Sequence, residues 1–133
     1  MNVLVTGGTG YLGRAIVGAL QASGHGVVLY GRTACASGLS PAAVDGDIRD
    51  AARLQAAARG CDAILHGAAL VATWARRGRD FDEVNVGGLR AVLDAAARHG
   101  LRRVVYTSSF LALAPAGLDA APAWNDYQRT KAA

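Results

Sequence analysis

Three apolar positions in a row, Val3-Leu4-Val5, lead directly into Thr6-Gly7-Gly8-Thr9-Gly10-Tyr11-Leu12-Gly13. An unbroken apolar run suits a strand buried on both faces of a parallel sheet. From Tyr11 the spacing changes to that of a helix. Leu12, Ile16 and Leu20 fall four apart, with Tyr11, Ala15 and Ala19 beside them. Gly24 offers a stop after Ser23. The alternation then repeats. Val27 to Tyr30 reads as a second strand and Ala34 to Pro41 as a loop of small residues. Ala43-Val44 reads as a short strand ending at Asp45-Gly46-Asp47. Asp50 is placed to cap a helix that runs to about Arg59. Asp62 to His66 is a fourth strand. Residues 80 to 98 predict a long helix with Phe81, Val84, Leu89, Val92, Leu93 and Ala96 inward, closed by Gly100. Arg103 to Ser108 is a fifth strand, its Val-Val-Tyr-Thr inward and apolar. A loop with Pro115 and Pro122 precedes a last helix starting near Trp124-Asn125. Strand and helix in turn predict an α/β fold with a doubly wound parallel sheet.

Composition narrows this picture. The 133 residues suit one domain, and 52% apolar with 6% aromatic residues calls for an aliphatic, alanine-rich core. No apolar run is long enough to span a membrane, and the chain starts on a strand instead of a signal peptide. A cytoplasmic protein without a membrane partner is therefore expected. Cys35 and Cys61 lack metal-ligand spacing and read as reduced, with no metal site expected. The net charge of +4 comes from 13 arginines and one lysine against 10 acids. Its small clusters, Arg76-Arg77-Arg79 and Arg102-Arg103, have no aromatic residues aligned with them, so nucleic acid is not an expected partner. A mild basic excess does suit an anionic cofactor.

The glycine turn carries the first chemical signal. Between a buried strand and an amphipathic helix, such a turn is how an α/β sheet binds a dinucleotide. Gly7 permits the tight turn, Gly10 lets the backbone approach a pyrophosphate, and Gly13 lets the helix pack on the strand. The helix N-terminus adds free N–H groups and partial positive charge. A second signal lies at the far end. Tyr127 and Lys131 are four apart in the last helix and project from one face. A phenol with a pKa near 10 is a poor base at neutral pH, and a nearby ammonium favours its phenolate.

The Gly-x-x-Gly-x-x-Gly spacing and the Tyr-x-x-x-Lys pair resemble the extended short-chain dehydrogenase/reductases, the NAD-dependent epimerase/dehydratase family. The likeness spans essentially all 133 residues. It implies a Rossmann-type sheet with Tyr127 as acid/base, Lys131 beside it, and Ser109 orienting the substrate oxygen, with Ser108 as the alternative. Gly7, Gly10, Tyr11, Leu12 and Gly13 would hold the cofactor. Asp47 would accept the adenine amine while Ile48 packs on the ring. Gly67, Ala68 and Ala69 would lie along the ribose, and Thr107, Tyr127 and Lys131 would complete the cofactor site. His66 reads as a satisfied strand-end histidine. Asn85 matches an Asn-Val motif with a structural or relay role, an ordinary helical residue being the equal alternative.

The second strand ends at Tyr30-Gly31-Arg32, and no acid lies between Val27 and Pro41. In NAD-specific sites an acid here often holds the ribose 2′-hydroxyl. Arg32 instead suits a 2′-phosphate, which favours NADP, with NAD as the alternative. Segments Ala69 to Trp74, Asn85 to Leu89 and Tyr106 to Leu113 look like the dihydroflavonol-reductase-like and farnesol-dehydrogenase-like group. The implied activity is interconversion of an alcohol and a carbonyl on a small molecule by hydride transfer. Nucleotide-sugar epimerisation or dehydration is the alternative, against which the apolar Phe110 to Ala114 argues. A non-catalytic dinucleotide sensor is a third reading, against which the Tyr–Lys pair argues. Relatives continue beyond the lysine into a substrate domain, whereas this chain stops two residues later. The expectation is therefore an incomplete N-terminal portion, inactive alone. Relatives also pair through two long helices, here residues 80–98 and the helix begun at Trp124. A homodimer is expected, with the small Ala91, Ala95 and Ala97 admitting a second copy.

Overall fold

The computed structural model describes residues 1–113 and 125–133. Its elements are β1 (Asn2–Thr6), α1 (Tyr11–Ala22), β2 (Gly26–Gly31), β3 (Ala42–Asp45), α2 (Ala51–Ala58) and β4 (Ala63–His66). A helical run follows, made of α3 (Arg79–Phe81), a π-helical segment (Asp82–Gly87) and α4 (Gly88–His99). The last described elements are β5 (Arg103–Tyr106) and α5 (Asp126–Ala132). The loop holding Pro115 and Pro122, and Trp124 itself, lie outside the described residues.

All strand pairs are parallel, in the order β3-β2-β1-β4-β5. The strand order reverses beside β1, so the loops after β1 and β4 diverge at one edge of the sheet and leave a crevice there. Side chains alternate across the sheet as the period of two requires. Val3, Val5, Val27 and Leu29 pack with Val17 of α1 on one face. Leu4, Tyr30 and Ile64 pack on the other with Leu54 of α2 and Val92, Ala95 and Ala96 of α4. Asp50 caps α2 by accepting the Arg53 N–H, and Gly100 ends α4 in the left-handed conformation.

Three expectations change. In α1 the fully buried residue is Val17, while Tyr11, Leu12, Ala15 and Ala19 are exposed. The helix seats on the glycine turn through Gly13, so its first-turn apolar residues border the crevice and not the core. In α4, Leu93 is 48% exposed, and Ala91 and Ala95 are buried in its place. The helix lies close against α2 and the sheet, and small residues permit that approach. The alanines are therefore occupied within the chain. In β5, Val105 is 54% exposed. This strand ends at Tyr106 and forms the edge of the described sheet, so its alternate face is not covered.

Candidate active site

The crevice is a cleft of about 520 Å³. Gly7, Gly10, Tyr11, Leu12, Gly13, Arg32, Asp47, Ile48, Gly67, Ala68 and Ala69 all line it. Gly7 has φ of +75°, and a Cβ there would lie 2.5 Å from the Gly67 carbonyl carbon. A side chain at Gly13 would collide with the Gly7 carbonyl oxygen. These two glycines let the turns after β1 and β4 and the start of α1 converge. Gly10 caps α1 without a side-chain bond, and the first turn holds no acid. The N–H groups of Tyr11, Leu12 and Gly13 have no helical acceptor and lie at the positive end of the helix dipole. A cradle of bare backbone with unused donors fits a pyrophosphate.

At the opposite lip, Asp47 accepts from the Arg49 N–H at 2.9 Å, Nε at 2.9 Å and Nη2 at 2.7 Å. The Arg49 hydrogen bonds hold its carboxyl at about 2, below the usual range. Asp47 thus meets the cleft already engaged, a partnership the sequence reading missed. Ile48 is buried except for a small surface, because Gly88 of α4 packs against its side chain. Tyr30, also missed, donates to the Asp47 carbonyl at 2.8 Å and fixes this loop from beneath. Burial, and then the nearby Asp50, push its phenol up. Arg32 is exposed, and its guanidinium has no ion pair among the described residues. The nearest acid in register, Asp45 opposite Gly31, is used by the Cys35 N–H at 2.9 Å.

The other predicted residues stand beyond the end of β4. Asn125 caps α5 by accepting the Gln128 N–H at 2.8 Å. One helical turn separates Tyr127 from Lys131. Lys131 is buried, and its ammonium donates to the Tyr106 hydroxyl and the Thr107 carbonyl, both at 2.9 Å. Among the described residues it makes no hydrogen bond to Tyr127. Thr107 connects this group to the cleft, since its Oγ1 lies 3.7 Å from where a Gly67 Cβ would be. Ser109 caps a 3₁₀ turn (Phe110–Ala112), its Oγ accepting the Leu111 N–H at 3.2 Å. The hydroxyl proton is left for another acceptor. Ser108 is exposed.

His66 departs from the expectation of a satisfied histidine. Its Nδ1 bonds Thr6 Oγ1 at 2.7 Å, but its buried Nε2 has no partner among the described residues. Burial, and then the Lys131 charge, push it down to about 4, so the ring is neutral. Asn85 is a clamp. Its Oδ1 accepts the Leu70 N–H at 2.8 Å, and its Nδ2 donates to the Leu70 carbonyl at 3.3 Å and to Thr130 Oγ1 at 2.9 Å. It thereby ties the loop after β4 to α5. Arg129 adds a second tie, with Nη1 and Nη2 each 2.7 Å from the Asp82 carboxylate.

A family model described as the NAD dependent epimerase/dehydratase family matches residues 3–132. The chain belongs to that family, among the extended short-chain dehydrogenase/reductases. Sterol demethylase protein B of Methylococcus capsulatus is 37% identical over 99% of this chain and 44% of its own length. A 3 beta-hydroxysteroid dehydrogenase/Delta 5-->4-isomerase of Mycobacterium tuberculosis is 42% identical over 81% of this chain and 31% of its own. A short-chain dehydrogenase/reductase superfamily protein from Agrobacterium tumefaciens, solved with bound NAD, superposes with a TM-score of 0.82 at 35% identity. That match covers 99% of this chain and 42% of the other. The chain spans less than half the length of each of these family members.

Proposed function

We propose that the protein is an oxidoreductase that interconverts an alcohol and a carbonyl on a small-molecule substrate, using a nicotinamide dinucleotide held in the cleft. The observation that carries this reading is the Lys131 ammonium, buried and tied to Thr107, whose side chain borders Gly67 of the glycine-lined cleft, with Tyr127 one turn before Lys131 on α5. The first-turn N–H groups of α1 would hold the pyrophosphate, Asp47 and Ile48 the adenine, and Ala68 and Ala69 the ribose next to it. The bound dinucleotide supplies or accepts the hydride. Tyr127 gives or takes the substrate proton at its Oη. Ser109 donates its hydroxyl proton to the substrate oxygen, and Lys131 holds its charge near both. Exposed apolar Phe110 and Leu113 beside Ser109 support this reaction over nucleotide-sugar dehydration. Unpaired Arg32, with Asp45 committed elsewhere, favours NADP over NAD. A homodimer through α4 and α5 belongs to the same proposal, resting on exposed Leu93 and not on the buried alanines.

Tyr127→Phe tests the function. In a form of the protein that turns over a carbonyl compound with NADPH, Tyr127→Phe lowers turnover at least about 100-fold while dinucleotide affinity holds, the lower range for a positioned acid or base. Turnover near that of the unmodified protein contradicts the role of Tyr127.

A further inference from the structure

Lys131 is held in part by Tyr106, a residue to which the sequence reading assigned no role. Two of its three ammonium donors are used, one by Tyr106 Oη and one by the Thr107 carbonyl, both at 2.9 Å. The same nitrogen lies 4.5 Å from the centre of the Tyr106 ring. Tyr106 is itself held from behind. The His66 ring stacks on it with centroids 5.6 Å apart and planes 18° from parallel. His66 is fully buried and anchored through Nδ1 to Thr6 Oγ1, and Thr6 Oγ1 also accepts the Ala68 N–H at 3.3 Å. Thr6 and Ala68 both line the cleft. A continuous set of contacts thus runs from the cleft wall through Thr6, His66 and Tyr106 to Lys131. A neutral imidazole is the right backing, since a charged one would repel the ammonium.

We infer that Tyr106 is a positioning residue for Lys131. Its hydroxyl fixes where the ammonium stands, and the stacked His66 fixes where the hydroxyl stands. A lysine side chain has four rotatable carbon–carbon bonds and a compact charge that bonds in any direction, so its location depends on its acceptors. The carbonyl of Thr107 alone leaves the ammonium free to swing about one contact. Two oxygens define its place and leave the third N–H for the cofactor. Phenylalanine at 106 keeps the ring, the stacking and the packing, and removes only the hydroxyl.

This inference rests on the proposed role of Lys131 in holding the dinucleotide, and a double-mutant cycle separates the two. NADP+ affinity is measured by titration calorimetry for the protein, Tyr106→Phe, Lys131→Met and the double variant. Tyr106→Phe weakens binding by about five- to tenfold, within the range for losing one ordinary hydrogen bond. In the Lys131→Met background the same change alters affinity less than about twofold, because the group it positions is gone. Unchanged affinity in Tyr106→Phe beside weakened binding in Lys131→Met overturns the inference alone. Unchanged affinity in Lys131→Met overturns both it and the reading of Lys131. An equal loss from Tyr106→Phe in both backgrounds makes Tyr106 a packing residue and overturns the inference too. Lys131 is the chain's only lysine, which gives a readout that needs no variant. With ¹³C-labelled lysine, a fixed side chain gives two distinct ε-methylene proton shifts, displaced by the Tyr106 ring. A single averaged signal like that of free lysine contradicts the inference even if Tyr106→Phe does not fold.

Discussion

Arg32 stands at the end of β2 with no ion pair among the described residues, while Arg49 on the same lip is taken up by Asp47. The difference matters for cofactor choice, because only an uncommitted guanidinium offers paired donors to a 2′-phosphate. Arg32→Asp is expected to weaken NADP+ by about 1.5–3 kcal/mol more than NAD+, the range for one charged hydrogen-bonded contact. Equal weakening of both, or of neither, contradicts the 2′-phosphate role. The residues around Arg32 were readable in sequence, since the missing acid is a one-dimensional fact. The Arg49–Asp47 bond was not, because a motif gives the carboxylate and not its partner. His66 illustrates the same limit. Folding lowers it from 6.5 to about 4, so the unfolded chain binds a proton that the native state refuses. Its contribution to stability is complete above pH 6.5 and is lost as pH falls toward 4, about 3 kcal/mol in all. Urea unfolding across that range should show His66→Phe with a flatter pH dependence than the unmodified protein. Identical slopes would contradict the buried neutral histidine.

At the scale of elements, the strands were legible and one helix face was not. Aliphatic runs bounded by glycine and aspartate mark β1, β2 and β4 within a residue or two. The long helix was read by the size of its apolar residues, which pointed Leu93 inward. Its inner surface keeps Phe81, Val92 and Ala96 as expected, but adds Asn85, Gly88, Ala91 and Ala95 and leaves Leu93 out. The π-helical segment holds Asn85, and such segments recur at functional positions in helices. Periodicity at 3.6 residues cannot report it, and a buried asparagine scores as polar and outward. The contacts of Asn85 make it the joint between the cleft loop and α5. Asn85→Ala removes three hydrogen bonds and strands the Leu70 backbone groups, so a loss of about 2–4 kcal/mol is expected from urea midpoints. A loss under about 0.5 kcal/mol would mean that water replaces the side chain and that the joint does not depend on it.

For the whole molecule, alternating strands and helices sufficed for the doubly wound sheet, and β3-β2-β1-β4-β5 is the order that places a crevice beyond β1 and β4. The glycine turn, Arg32, Asp47, Ile48 and the Gly67-Ala68-Ala69 segment, scattered over the sequence, meet on that crevice. What could not be read was how Lys131 is held beside it, because that depends on Tyr106 and Thr107 from one segment and Asn85 from another. The central claim is that this cleft is a dinucleotide site joined to Lys131. Amide NMR of the ¹⁵N-labelled chain during an NADP+ titration tests it most directly. Shifts are predicted at Gly7 to Gly13, Arg32, Asp47 to Arg49, Gly67 to Leu70 and the Thr107 and Lys131 amides, with Arg98 to Arg103 unmoved. A spectrum that does not change at millimolar NADP+, or shifts confined to residues away from the cleft, would contradict the account.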